Sequence, residues 1–203
     1  MSHHITVPGT LFVVSAPSGA GKTSLSQELL QRVSSLTRAV TTTTRPMRQG
    51  EVNGRDYYFV TPEVFKQKIA DGEFLEHAEV FSNLYGLTKA EVQEKLALGQ
   101  NILVILDVQG AKKVMAEMED QVVSAEELKN RLVTRGENND DDLQQRLAAA
   151  QSEIFECGRF DYIVVNEMFD NAVKDMQSIV HAHQLQKDKV HTLQTLAASF
   201  LTC

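Results

Sequence analysis

Residues Ala16–Thr23 read Ala-Pro-Ser-Gly-Ala-Gly-Lys-Thr and join two recognisable segments. Before them runs Leu11-Phe12-Val13-Val14-Ser15, apolar and of strand type. After them comes Leu25-Ser26-Gln27-Glu28-Leu29-Leu30, with apolar residues at helical spacing. A strand, a small-residue loop ending in Gly-Lys-Thr and a helix form the context that gives a phosphate-binding P-loop its meaning. Gly19 and Gly21 lack a Cβ, so successive backbone N–H groups can close around an anion. The start of the helix adds unpaired N–H groups and the positive end of a dipole. Lys22 is expected to bring a full charge to the β- and γ-phosphates, and Thr23 a hydroxyl to Mg²⁺. Ser18, Gly19, Ala20, Gly21 and Ser24 complete a loop suited to ATP or another nucleoside triphosphate. Ala16 stands where the pattern usually begins with Gly. An ordinary Gly-rich turn is the alternative, and the strand and helix on either side argue against it.

Beyond this unit, buried aliphatic strands alternate with helical patterns, which indicates an α/β fold with a parallel sheet and right-handed crossovers. A helix is expected over about 22–34, an extended stretch over 38–44 and a Gly/Pro-rich loop over 45–56. Strands follow at 57–60, 74–81, 101–106 and 161–165. Thr61 and Pro62 open a helix as N-cap and first residue. Residues 88–98, 109–118, 126–134, 140–156, 169–186 and 190–201 also carry helical patterns. The polar stretch 39–87, lodged between core units, reads as an inserted subdomain. With 203 residues the chain fits one domain. A net charge of −7 argues against a nucleic-acid surface. Cys157 and Cys203 suggest no disulfide framework. Ile102–Leu106 is too short to cross a bilayer, and the N-terminus lacks a signal-peptide pattern, so a cytoplasmic location is expected. His181 and His183 are expected to face solvent.

A P-loop does not separate ATPases, GTPases and small-molecule kinases. The discriminating segment is Thr43-Thr44-Arg45-Pro46-Met47-Arg48-Gln49-Gly50-Glu51, followed by Tyr57. Taken alone, two loop arginines read as solvated surface. With hydroxyls from Thr41 and Tyr57 nearby, Arg45 and Arg48 could also hold a second phosphate, since the guanidinium fork makes two parallel charge-assisted bonds. Asp107, at the end of the aliphatic strand Asn101–Leu106, reads both as a carboxylate orienting the Mg²⁺ shell and as a helix N-cap.

These segments, with Phe74–Tyr85 and Gly86, Asp107-Val108-Gln109-Gly110 and Arg131…Arg135-Gly136, resemble guanylate kinase in order and spacing over about residues 8–185. The resemblance implies a P-loop nucleoside-monophosphate kinase fold that transfers the γ-phosphoryl group of ATP to GMP with Mg²⁺. It implies one domain over 1–203: a core of about 1–38, 88–124 and 156–203, a GMP-binding subdomain of about 39–87 and a lid of about 125–155. By the same resemblance Thr41, Arg45, Arg48, Tyr57 and Tyr85 hold the GMP phosphate and Glu76 reads guanine. One carboxylate can accept both N1–H and N2–H₂ of that base, whereas adenine presents a bare lone pair. Thr23 and Asp107 match the metal region. Arg131, Arg135 and Arg146 lie in the lid and its flanks, and Asn166 matches a position near the adenine of ATP. Lys22, Arg45, Arg135 and Arg146 are the expected catalytic residues. ATP and GMP are the expected partners.

Several positions depart from the family's pattern. Leu87 stands where a small hydroxyl residue helps read guanine, with Thr88 next to it, and Ile105 replaces the first of two acidic residues. Met47 and Gln49 replace prolines, which should loosen the arginine loop. Between Gln121-Val122-Val123 and Ala125-Glu126-Glu127 about seven residues are lacking that would form a central strand. Either the chain rearranges there or the sequence omits residues. Two other functions stay open on sequence grounds: a guanylate-kinase-like binding module with little catalysis, and a related kinase with another acceptor.

Overall fold

A computed structural model describes residues 8–15, 22–80, 82–118, 121–128 and 157–201. Strand β1 (Leu11–Ser15) is wholly buried and lies inside a five-stranded parallel sheet of order β2-β7-β1-β8-β9. The other members are β2 (Leu36–Arg38), β7 (Asn101–Leu106), β8 (Val122–Leu128) and β9 (Tyr162–Val165). Since both faces are covered, alternate residues of one strand feed different cores. Phe12 and Val14 pack with Leu25 and Leu29 of helix α1 (Lys22–Arg32) and with Val173, Met176 and Val180 of α5 (Phe169–Leu201). Leu11 and Val13 face Val92 and Leu96 of α3 (Lys89–Ala97) and Ala111 and Val114 of α4 (Val108–Glu117). Each such fully buried aliphatic side chain contributes about 1.5–3 kcal/mol.

A second sheet, of order β4-β3-β6-β5, is built from residues 42–88. Its main unit is the antiparallel pair β5 (Phe74–Val80) and β6 (Asn83–Thr88), with a bulge between Phe74 and Glu76. The short strands β3 (Thr42–Thr43) and β4 (Tyr58–Phe59) extend it. The extended stretch expected over 38–44 is thus divided: β2 ends in the core sheet at Arg38, and β3 begins in the second sheet at Thr42. Between them the Val40 N–H donates to the buried carboxylate of Glu91 on α3 (2.8 Å). Helix α2 (Pro62–Ala70) starts as its sequence implies, with the Val64 N–H donating to Thr61 Oγ1.

Three expectations are corrected. Glu126–Leu128 belong to β8 and not to a helix over 126–134, of which residues 129–134 lie outside the described residues. The shortened segment therefore still supplies a strand between β1 and β9, in register Leu11↔Val122 and Ala125↔Tyr162. Fully buried Ser124 pins it: its N–H and Oγ both donate to Asp161 Oδ2 at 2.8 Å, and its Oγ accepts from the Asp161 N–H at 3.1 Å. The helices expected at 169–186 and 190–201 form one continuous helix, α5. His183 on that helix is half-buried rather than solvent-facing, edge-on to Phe12 (5.8 Å) and 3.1 Å from Thr10 Oγ1. The helical pattern over 140–156 lies outside the described residues.

Candidate active site

The C-terminal ends of parallel strands are where an α/β sheet offers loops to a ligand. Here β1 and β7 run side by side in register Ser15↔Leu106, so the residues following each begin next to one another. After Ser15 comes the Gly-rich loop and then α1, which starts at Lys22. After Leu106 comes Asp107. Its Oδ1 accepts the Gly110 N–H at 2.7 Å, which makes it the N-cap of α4. Both roles assigned to Asp107 remain compatible, since one carboxylate oxygen caps the helix and the residue is exposed. Asn166 is buried directly after β9, on the same edge of the sheet.

A cavity of about 370 Å³ opens between this edge and the second sheet. Thr41, Tyr57, Glu76, Tyr85 and Asp107 all line it, as do Arg38 and Ile105. The fold thus gathers five residues spread over sixty-odd positions of sequence. Glu76 enters from β5 and rests against the first turn of α4. A Cβ on Gly110 would lie 3.0 Å from Glu76 Cγ and 3.1 Å from its Cδ, so a larger residue there would press on the carboxyl beside the helix cap. Burial, and then the neighbouring negative charge of Asp107, push the Glu76 carboxyl up to about 7. Lys113 opposes this. Gly86, next to Tyr85, admits an equally close approach. A Cβ there would meet the Phe74 ring at 2.7 Å, and that ring stacks on Phe65 at 4.5 Å.

Arg45 and Arg48 do not line the cavity. Arg45 stands over the rings of Tyr57 (5.3 Å) and Phe59 (5.7 Å) and forms a bidentate pair with Glu51, at 2.6 and 3.1 Å. That pairing raises the guanidinium above its ordinary range and holds the Glu51 carboxyl below its own. Arg48 donates its backbone N–H to Glu51 at 2.7 Å and leaves its side chain exposed. Glu51 therefore shapes the loop that Met47 and Gln49 would otherwise loosen. Leu87 is fully buried among Leu75, Val92 and Leu96, and Thr88 caps α3 by accepting the Glu91 N–H. Neither reaches into the cavity. Ile105 does line it, so an apolar residue stands where the resemblance implies an acid.

Ser18, Gly19, Ala20, Gly21, Arg131, Arg135 and Arg146 lie outside the described residues. So do the side chains of Lys22 and Thr23, although both residues form the first turn of α1, where Ser24 is exposed. Arg38 is the cavity residue that the sequence analysis does not single out. An arginine at the end of a short strand carries no signal of its own, and only the proximity of Tyr57 marks it.

The guanylate kinase family model matches residues 9–183. Guanylate kinase of Nitrosomonas europaea is 46% identical over 182 residues, covering 87% of this chain and 90% of the relative. That of Nitrosospira multiformis is 42% identical over 190 residues, covering 91% and 90%. The crystal structure of guanylate kinase from Anaplasma phagocytophilum superposes with a TM-score of 0.64 at 31% identity, over 88% of this chain and 87% of that one. A match of this length in sequence and in fold establishes that the chain belongs to the guanylate kinase family.

Proposed function

We propose that the cavity between the two sheets is the acceptor site of this enzyme, with Glu76 as its base reader. Family membership carries the reaction: the γ-phosphoryl group of ATP passes to GMP, giving ADP and GDP. The observation that supports the site is the position of Glu76. It enters the cavity within range of Asp107, on the sheet edge from which the P-loop departs. The ionised carboxyl accepts N1–H and N2–H₂ of guanine, and these donors repay the burial that otherwise favours its neutral form. Leu87 is buried and Ile105 is apolar, so Glu76 carries the discrimination among the described residues.

Thr41, Tyr57 and Tyr85 supply hydroxyls to the GMP phosphate, and Arg45 and Arg48 supply charge once the loop turns inward. Residues 39–87 act as the GMP-binding subdomain, and the lid, expected over about 125–155, is cut back to about 129–155, since Ala125–Leu128 belong to β8 of the core sheet. The loop Ser18–Ser24 with Lys22 holds the triphosphate. Arg131, Arg135 and Arg146 place positive charge where negative charge develops, and Asn166 lies toward the adenine. Fixing both nucleotides in one cleft makes a bimolecular transfer a positioned one.

A phosphate-carried Mg²⁺ takes one or two carboxylates together with phosphate oxygens and water. Asp107, exposed and with one oxygen left after capping α4, fits that demand with the Thr23 hydroxyl. Among the described residues no cluster of three acidic, His or Cys side chains forms a self-sufficient metal cage. Bound there, the ion would neutralise phosphate charge. No helix among the described residues is long and apolar enough to cross a membrane; the reaction itself, one of nucleotide metabolism, is what places the enzyme in the cytoplasm.

A coupled assay of ADP formation tests the reading, with GMP, AMP, UMP and dGMP as acceptors. GMP should turn over roughly 10⁴-fold more efficiently than AMP, the scale set by unmet hydrogen bonds in a polar site. Absence of GMP-dependent ADP formation would refute it.

A further inference from the structure

One cation of the cavity has no task in the reaction described so far. Arg38 closes β2, the edge strand of the core sheet, where it pairs with Leu103, and its side chain lines the cavity together with Thr41, Tyr57 and Tyr85. Its guanidinium carbon lies 5.6 Å from the centre of the Tyr57 ring. The same ring carries Arg45 at 5.3 Å. One aromatic side chain thus bears two guanidinium groups, one from the core sheet and one from the loop after β3.

The two are balanced differently. Arg45 is matched by Glu51 through two hydrogen bonds and donates a third to the Pro46 carbonyl. Arg38 is in no ion pair among the described residues. The acid that feels its charge is Asp56, whose carboxyl is held low first by the Val52 N–H, then by Arg55, and only weakly by Arg38. Asp56 Oδ2 is already taken by those two partners, at 2.8 Å each. An exposed, always-charged guanidinium without a carboxylate, facing a cleft lined with hydroxyls, is suited to an oxyanion with two oxygens to offer.

We propose that Arg38 is a phosphate-binding residue of the acceptor site: its guanidinium, over the Tyr57 ring, takes the phosphate of GMP from the core side while the loop arginines take it from the other. This rests on the reading of the Glu76 cavity as the acceptor site. It also gives the phosphate a structural effect, since a ligand held by Arg38 and Arg45 together ties β2 to the second sheet across the Val40 connection.

The test is calorimetric titration of the full chain with GMP and with guanosine, for wild type, Arg38→Ala and Arg38→Lys, alongside KM for GMP and kcat with ATP. Arg38→Ala should weaken GMP roughly ten- to hundredfold, the range of a hydrogen bond to a charged group, and leave guanosine within about twofold. Arg38→Lys should recover part of that loss, because it keeps the charge without the fork. The salt dependence of GMP binding should be shallower in Arg38→Ala. Equal weakening of GMP and guanosine would overturn the proposal by making Arg38 a prop for Tyr57, and so would unchanged GMP binding. A wild-type chain that binds GMP no tighter than guanosine, or a Glu76→Gln variant that keeps full affinity for both, would instead overturn the acceptor-site reading underneath it.

Discussion

Glu76→Gln should make this protein more stable while disabling it, and the sign of the pH dependence is fixed by the site. Burial and the charge of Asp107 move the Glu76 carboxyl from 4.5 to about 7. The folded chain holds that proton more tightly than the unfolded chain does. Between those two values folding takes up a proton, so stability falls as pH rises through the window. Above the window the folded state bears the whole cost of a partly desolvated carboxylate, and below it the cost is absent. At face value the displacement corresponds to roughly 3 kcal/mol. Glu76 is only half-buried, so screening by water reduces the expected effect to about 1–2 kcal/mol. Glutamine keeps the shape against Gly110 and cannot ionise. Urea denaturation of metal-free protein should find the variant about 1–2 kcal/mol more stable than wild type at pH 8, and indistinguishable from it near the lower end of the window. GMP should protect wild type and not the variant. A gap that does not widen with pH, or a variant less stable than wild type at pH 8, would show that the carboxyl is not desolvated beside Asp107 and would remove the basis for its role.

Two further expectations concern how the site is held. Buried Glu91 accepts hydrogen bonds from the Val40 N–H and the Tyr58 hydroxyl (3.2 Å) and forms an ion pair with Lys95 (2.5 Å), and so fastens α3 to the connection between the sheets. Glu91→Gln should cost about 1–3 kcal/mol and speed amide exchange at Val40, while unchanged exchange would deny the fastening. Ser124→Ala removes the acceptor of the Asp161 N–H and a donor to its carboxylate at a part-buried site and should cost about 0.5–1.5 kcal/mol by denaturant midpoint. A neutral result would mean that β8 holds its place without this pair.

What was legible in the sequence is what is local. The P-loop sequence is flanked by a strand and a helix that both form, and Thr61 and Asp107 both cap helices because a short polar side chain can reach the N–H groups of the following turn. The parallel sheet follows from aliphatic runs buried on two faces. The convergence of Thr41, Tyr57, Glu76, Tyr85 and Asp107 on one cavity was legible only through the resemblance, since no spacing rule links them. The pairing of Arg45 with Glu51 had no visible sign, although both stand in the quoted loop. A bidentate ion pair depends on loop geometry, which neither composition nor periodicity determines. Arg38 was missed for a related reason: its meaning comes from a ring nineteen residues away.

The shortened segment around Ser124 shows most clearly why local pattern can lose. Ala125-Glu126-Glu127-Leu128 is good helical sequence, and in isolation it would favour a turn of helix. Yet the sheet needs a strand between β1 and β9, because a gap there would strip Val14 and Val164 of neighbours and leave two rows of backbone groups unpaired. Ladder bonds along seven residues outweigh a propensity difference of about half a kcal/mol per residue. The chain therefore draws Val122–Leu128 into the vacancy and secures it with a Ser124–Asp161 pair. This strand keeps the C-terminal edge of the sheet continuous from Asp107 past the end of β1 to Asn166. With the acceptor and triphosphate sites proposed on that edge, the repair of the core is also what would keep the two sites side by side.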